Sequence, residues 1–138
     1  MKFSVRTHIA AKPDVVWALL TDAAGYPGWN STVVKIDGTI AEGERIALVA
    51  TVNPKRAFNL TVEALEPNRR MVWSDGMPLG LFRGARTYEL VEKDGGTEFS
   101  MEEVFTGLMA PLITKMIPDL QPSFDQWGAD LKARAEQG

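Results

Sequence analysis

Arg86 and Glu103 are the residues of this chain whose type and spacing most suggest chemistry. Between them lies Asp94-Gly95, the dipeptide that most favours a two-residue hairpin turn. Such a turn pairs Lys93 with Gly96, and counting outward opposes Leu90 to Phe99, Tyr88 to Met101 and Arg86 to Glu103. Alternation along the two strands gathers Tyr88, Leu90, Phe99, Met101 and Phe105 on one apolar face, and Arg86 and Glu103 fall on that same face. Glu89, Glu98, Ser100 and Glu102 point the other way. Inward charges are costly unless paired, so the pattern predicts a cross-strand ion pair on the wall of an interior space. Its chemistry would be that of a polar anchor. Arg86 suits a ligand carboxylate or phenolate, and Glu103 suits a hydrogen-bond acceptor or general base. The plainer alternative is a structural pair near the sheet edge that does no chemistry.

The aromatic residues are the second set. Trp73 alternates with Met71 on a predicted strand, and Trp29 follows the turn Tyr26-Pro27-Gly28. Each has a pocket role and a core-packing role open to it, whereas Trp17 and Trp127 read as core. Phe124 shares the apolar stripe of Trp127. The predicted ligand-facing set is therefore Trp29, Trp73, Arg86, Tyr88, Phe99, Met101, Glu103 and Phe124, with Glu103 and Arg86 the catalytic candidates. His8 is the lone histidine and sits in phase with Arg6 and Ser4 on the polar side of the first strand. The serines lie in no nucleophile-elbow context, and no glycine-rich phosphate loop is present.

Composition narrows the field further. Zero cysteines exclude disulfides and thiolate metal sites. With a single histidine as well, no metal site and no cofactor are expected. Fifteen Lys and Arg against 18 Asp and Glu give a net charge of −3 with no basic block, so nucleic acid is not an expected partner. The longest apolar tract, Gly107 to Leu120, is broken by Pro111, Lys115 and Pro118 and is too short for a membrane span. No signal-peptide pattern precedes the first strand, which makes the cytoplasm the expected location.

The elements that must position these residues follow from periodicity. Residues 2–9 alternate as a half-buried strand with Phe3, Val5, Thr7 and Ile9 inward. Pro13 opens a short helix that the cluster Gly25-Tyr26-Pro27-Gly28 ends. Six strands are predicted at 32–37, 44–52, 57–65, 70–75, 82–92 and 97–106, divided by turn signals such as Asp37-Gly38, Pro67-Asn68 and Asp75-Gly76. The stretch Asp75 to Gly80 reads as a loop. From Leu108 the spacing turns helical, and an element of about 25 residues would reach nearly 40 Å, with a kink or division near Pro118 and Pro122. Exposed edges of such a sheet leave room for a homodimer.

The whole chain resembles the START-like, helix-grip superfamily (SRPBCC), which includes polyketide cyclase/dehydrase-like proteins, lipid-transfer domains and the birch-pollen-allergen fold. The segments that carry the resemblance are Ala11-Lys12-Pro13-Asp14-Val15-Val16-Trp17 with Leu20-Thr21-Asp22, Tyr26-Pro27-Gly28-Trp29-Asn30, Pro67-Asn68-Arg69-Arg70-Met71-Val72-Trp73, Phe105-Thr106-Gly107-Leu108 and Leu131-Lys132. The resemblance implies one α+β domain over residues 1–138. In it a curved antiparallel sheet of about seven strands wraps a long C-terminal helix and leaves an apolar cavity. It further implies a small hydrophobic or lipid-like ligand, bound or transported without catalysis. Two alternatives stay open: a polyketide cyclase/aromatase- or dehydrase-like enzyme using Glu103 and Arg86, and a protein-interaction module like the Hsp90-activator branch. In the superfamily the position matching Met101 is commonly histidine, and methionine there removes a group able to move protons.

Overall fold

The structure is a computed structural model, and it describes residues 1–137. The chain runs β1 (Lys2–Ile9), α1 (Pro13–Leu20), a 3-10 helix (Ala23–Gly28), then β2 (Val33–Asp37), β3 (Arg45–Ala50), β4 (Phe58–Glu66), β5 (Arg70–Met77), β6 (Phe82–Lys93) and β7 (Gly96–Thr106). It ends in α2 (Ala110–Ile113), a 3-10 helix (Thr114–Met116) and α3 (Gln121–Glu136). All seven strands form one antiparallel sheet in the order β1-β7-β6-β5-β4-β3-β2. It is a meander from β2 to β7, and β1 returns to pair with the last strand. The curled sheet grips α3, as the helix-grip expectation requires.

Local chemistry accounts for most of these elements. Pro13 occupies the first turn of α1, where its missing N–H is no loss, and Asp14 beside it complements the helix dipole. Val16, Trp17 and Leu20 are the buried face of α1. The turn between β6 and β7 is Asp94-Gly95, and both residues have positive φ (52° and 77°), the backbone a tight hairpin needs. On α3 the buried residues are Phe124, Trp127, Gly128, Leu131 and Ala135. Gly128 lets the helix sit close to β1, since a Cβ there would come within 2.9 Å of Val5 Cγ2.

Two expectations are corrected. The C-terminal element is not a helix of about 25 residues. Ile117 to Leu120 are non-helical, with Pro118 among them, and α3 alone has 16 residues and spans about 24 Å. Pro122 falls in the first turn of α3, where proline is tolerated. The second correction concerns Asp75 to Gly80, which is not a loop throughout. Asp75, Gly76 and Met77 continue β5 opposite Gly84, Arg83 and Phe82, so Asp75-Gly76 makes no turn. The reversal is confined to Pro78–Leu81, closed by Leu81 N–H donating to the Pro78 carbonyl at 3.2 Å. Among the described residues no helix is long and apolar enough to cross a membrane.

Candidate functional site

Register places the site in rows across the concave face of the sheet. One row runs from Val62 on β4 through Trp73 on β5, Arg86 on β6 and Glu103 on β7 to Phe3 on β1. The row beside it contains Met71, Tyr88, Met101 and Val5, and the row on the other side contains Gly84 opposite Phe105. The period of two and the Asp94-Gly95 turn together fix that arrangement, which the hairpin counting anticipated.

Arg86 and Glu103 meet as expected. Nε of Arg86 donates to Oε1 of Glu103 at 2.8 Å, and the side chains remain 17% and 16% exposed. The guanidinium carbon also lies 4.7 Å above the centre of the Phe124 ring, a cation–π contact that holds the fork against the start of α3. Burial alone would make the guanidinium release its proton more readily. The Glu103 carboxylate outweighs that effect, with Tyr88 adding to it, and the proton is held above its ordinary range. Arg86 is therefore charged at every accessible pH, and its charge is matched inside the sheet.

The apolar cavity that the resemblance implies between sheet and helix is not what the structure shows, because the centre of that space is filled by rings. Trp127 touches Tyr26, Trp29, Tyr88 and Phe99 with centroids 5.4 to 6.2 Å apart. Trp73 packs on Tyr88 at 4.7 Å and on Tyr26 at 6.1 Å. Phe99 and Met101 are fully buried in this cluster. Of the predicted ligand-facing set, Trp73, Tyr88, Arg86, Glu103 and Phe124 converge around the ion pair, while Trp29 and Phe99 stand around Trp127.

Polar atoms inside this cluster lack partners. The indole nitrogens of Trp29 and Trp73 and the Asn30 amide nitrogen are buried with no hydrogen bond, and the buried Tyr88 hydroxyl lies close to the Arg86 guanidinium without a well-formed one. Native interiors leave few such groups, because each costs about 1–3 kcal/mol unless something meets it. Burial pushes the Tyr88 hydroxyl above its ordinary range, although Arg86 nearby pulls the other way. Tyr26 is pushed up by burial too, with Tyr88 adding to it, and its hydroxyl donates to the Leu20 carbonyl at 2.7 Å.

Tyr26 and Gly84 were not among the predicted site residues. Gly84 was legible by parity, since it precedes Arg86 by two on the inward phase. A Cβ there would meet the Phe105 ring at 3.2 Å, with Glu103 Oε2 3.9 Å away, so glycine keeps the approach to the ion pair open. Tyr26 carried no periodic signal, because it lies in the 3-10 helix (Ala23–Gly28). His8 is on the exposed side as expected, with Nδ1 3.7 Å from Glu98. Among the described residues no group of His, Asp or Glu is placed to hold a metal.

Two surface clefts lie away from this cluster. One of about 810 Å³ is bordered by Lys12, Glu66, Arg69 and Glu89, and one of about 440 Å³ by Arg45, Glu63, Asp75 and Arg83. Both are lined by charges of both signs, and neither includes Arg86 or Glu103.

Comparison with known proteins agrees with this architecture. A protein from Mesorhizobium loti superposes with a TM-score of 0.75 at 20% identity, covering 99% of this chain and 98% of that one. A protein from Thermus thermophilus gives 0.73 at 19% identity, covering 99% and 98%. A START superfamily protein from Mycobacterium smegmatis gives 0.72 at 14% identity, covering 99% and 97%. At these identities the likeness is one of fold. No curated protein sequence matches the chain. The model of the family described as polyketide cyclase / dehydrase and lipid transport matches residues 1–136. With that match over nearly its whole length, on a START-like helix-grip fold, the chain belongs to the polyketide cyclase/dehydrase and lipid transport family.

Proposed function

We propose that this chain binds a small hydrophobic molecule on the concave face of the sheet, with the polar end of the ligand at Arg86 and Glu103. The observation that carries this reading is the convergence of a matched ion pair and unpartnered buried donors within an otherwise apolar wall. Apolar area removed from water supplies the affinity, at roughly 25 cal/mol per Å². The polar groups supply orientation. Because the two charges cancel, the head group that fits best is neutral. It accepts from Trp73, Tyr88 or the free guanidinium N–H groups and donates to the second oxygen of Glu103.

Entry requires the rings to move apart, since they occupy the centre. The approach lies beside Gly84, and the non-helical link of Ile117 to Leu120 packs its two apolar ends on the core just ahead of Phe124. That link has few backbone hydrogen bonds to hold it in place.

The test is a titration of tryptophan fluorescence with 2-naphthol, 2-naphthoate and naphthalene, alongside native mass spectrometry of the purified protein. Saturable quenching that is tightest for naphthol is expected, and Arg86→Met/Glu103→Leu should weaken naphthol about tenfold while leaving naphthalene nearly unchanged. Absence of saturable quenching by any of the three removes the reading. Equal affinities in the parent and the double variant remove the anchor.

A further inference from the structure

The turn Pro78–Leu81 breaks a rule that its counterpart at the other end of β6 obeys. Leu79 and Gly80 have φ of 61° and 70°, the same left-handed pair seen at Asp94-Gly95. Asn, Asp or Gly is the usual first residue of such a pair, and a branched apolar side chain there is strained. Leu79 is nevertheless leucine, and it is 93% exposed. The fold thus accepts backbone strain to hold an apolar side chain in water, which stability alone would remove.

Leu79 has company. The segment after β7 is clamped to this turn, with Leu108 N–H donating to the Gly80 carbonyl at 3.2 Å and Met109 N–H to the Leu81 carbonyl at 2.7 Å. Gly107, at φ 110°, permits this approach, since a Cβ there would lie 2.7 Å from the Leu81 carbonyl oxygen. Leu108 and Met116 are 81% and 83% exposed, and Met77 and Leu112 are exposed as well. Thr61 pairs with Ser74 and Arg83 with Thr106, so the β3–β4 and β5–β6 turns and the end of β7 leave the sheet at one end. Toward that end Lys2 and Arg83 are paired with Glu102 and Glu63, whereas Lys55 and Arg56 in the β3–β4 turn and Lys115 between Leu112 and Met116 are, among the described residues, in no salt bridge. Arg56 instead lies 4.9 Å above the Phe58 ring. Two nearby carboxylates are paired, Glu63 with Arg83 and Asp75 with Arg45, whereas Asp119 accepts only the Gln121 N–H and keeps its charge.

We infer that this end of the fold docks on an anionic lipid surface, with Leu79, Leu108 and Met116 entering the interface and Lys55, Arg56 and Lys115 meeting the head groups. Apolar tips with unpaired cations on the neighbouring β3–β4 turn and on the segment after β7 match such a surface in both polarity and charge, although the chain as a whole is acidic. A second copy fits less well. A two-fold contact through this end would gather two sets of unpaired cations into one interface. The inference is independent of the ligand reading, because it uses none of the residues around Arg86.

Co-sedimentation with vesicles tests it, comparing phosphatidylcholine alone with phosphatidylcholine containing about one-third phosphatidylglycerol. The parent chain should bind the anionic vesicles, release them as salt rises, and bind neutral vesicles about tenfold more weakly. Leu79→Asn separates docking from structure. Asparagine relieves the left-handed strain, so its Tm should equal or exceed that of the parent while vesicle binding falls at least about fivefold. Lys55→Glu/Lys115→Glu should abolish the preference for anionic lipid. Equal binding to both vesicle types, no binding to either, or parent-like binding by Leu79→Asn overturns the proposal. Concentration-dependent self-association that Leu79→Asn removes would also overturn it and assign the surface to a second copy.

Discussion

Arg86 and Glu103 stand directly opposite one another on β6 and β7, and Nε donates to Oε1 at 2.8 Å on the concave side of the sheet. Trp73 faces Arg86 from β5, and Phe3 faces Glu103 from β1, so the pair has apolar neighbours on both flanks of its row. Removing one partner strands the other. Glu103→Ala should destabilise the fold by about 2–3 kcal/mol, toward the lower end for a buried pair because both side chains retain some exposure. Arg86→Met/Glu103→Leu, which removes both charges at similar volume, should stay within about 1 kcal/mol of the parent. Urea unfolding measures both, and a double variant as damaged as the single one would show that the pair itself is needed for the fold.

Tyr88 and Tyr26 are both buried hydroxyls, but only Tyr26 has a well-formed hydrogen bond, Tyr88 merely lying near the Arg86 guanidinium. Tyr88→Phe should therefore leave stability unchanged or slightly raised. Tyr26→Phe should cost about 1–2 kcal/mol, since it orphans the Leu20 carbonyl. Equal losses in thermal unfolding for the two variants would mean that the Tyr88 hydroxyl has a partner in solution.

Alkaline pH should unfold the chain early. Both tyrosines are held protonated by burial above the ordinary value of 10.0. The native state then binds more protons than the unfolded one once pH passes about 10. Stability from these groups is full below that pH and declines as pH rises above it. Replacing both tyrosines with phenylalanine should flatten the decline, and denaturant midpoints across pH 9–12 give the slope.

Gly128 and Gly107 each permit a close approach. Gly128→Leu should cost more than about 2 kcal/mol, because even a Cβ meets Val5 at 2.9 Å and the remaining atoms would push α3 off β1. Gly107→Ala should destabilise less globally but loosen the clamp between the segment after β7 and the Pro78–Leu81 turn. Faster hydrogen exchange at Leu108 and Met109 would register that loosening, and unchanged protection there would count against the clamp.

The strand content and the pairing of Arg86 with Glu103 were legible because they rest on local information. A period of two assigns each side chain to a face, and an Asp-Gly turn sets the register within one hairpin. Gly84 was within reach of the same counting. The family resemblance supplied the grip of sheet on helix, which periodicity alone leaves open.

Other features depended on residues far apart in the chain. Trp73 on β5, Tyr26 and Trp29 at the 3-10 helix, and Trp127 on α3 come from three separate elements, and only their packing together decides that rings fill the space beneath α3. The continuation of β5 through Asp75 to Met77 came from its ladder with β6, which overrode a turn-like dipeptide. Leu79 is apolar and would be assigned inward by type. Its exposure is set by a tight turn whose left-handed backbone points it outward, and that turn is held by hydrogen bonds from the segment after β7. Faces and register were readable in residue order, because they are properties of neighbouring residues. The tertiary structure alone decided what fills the interior and which apolar groups remain in water, because those depend on how distant segments compete for the same space.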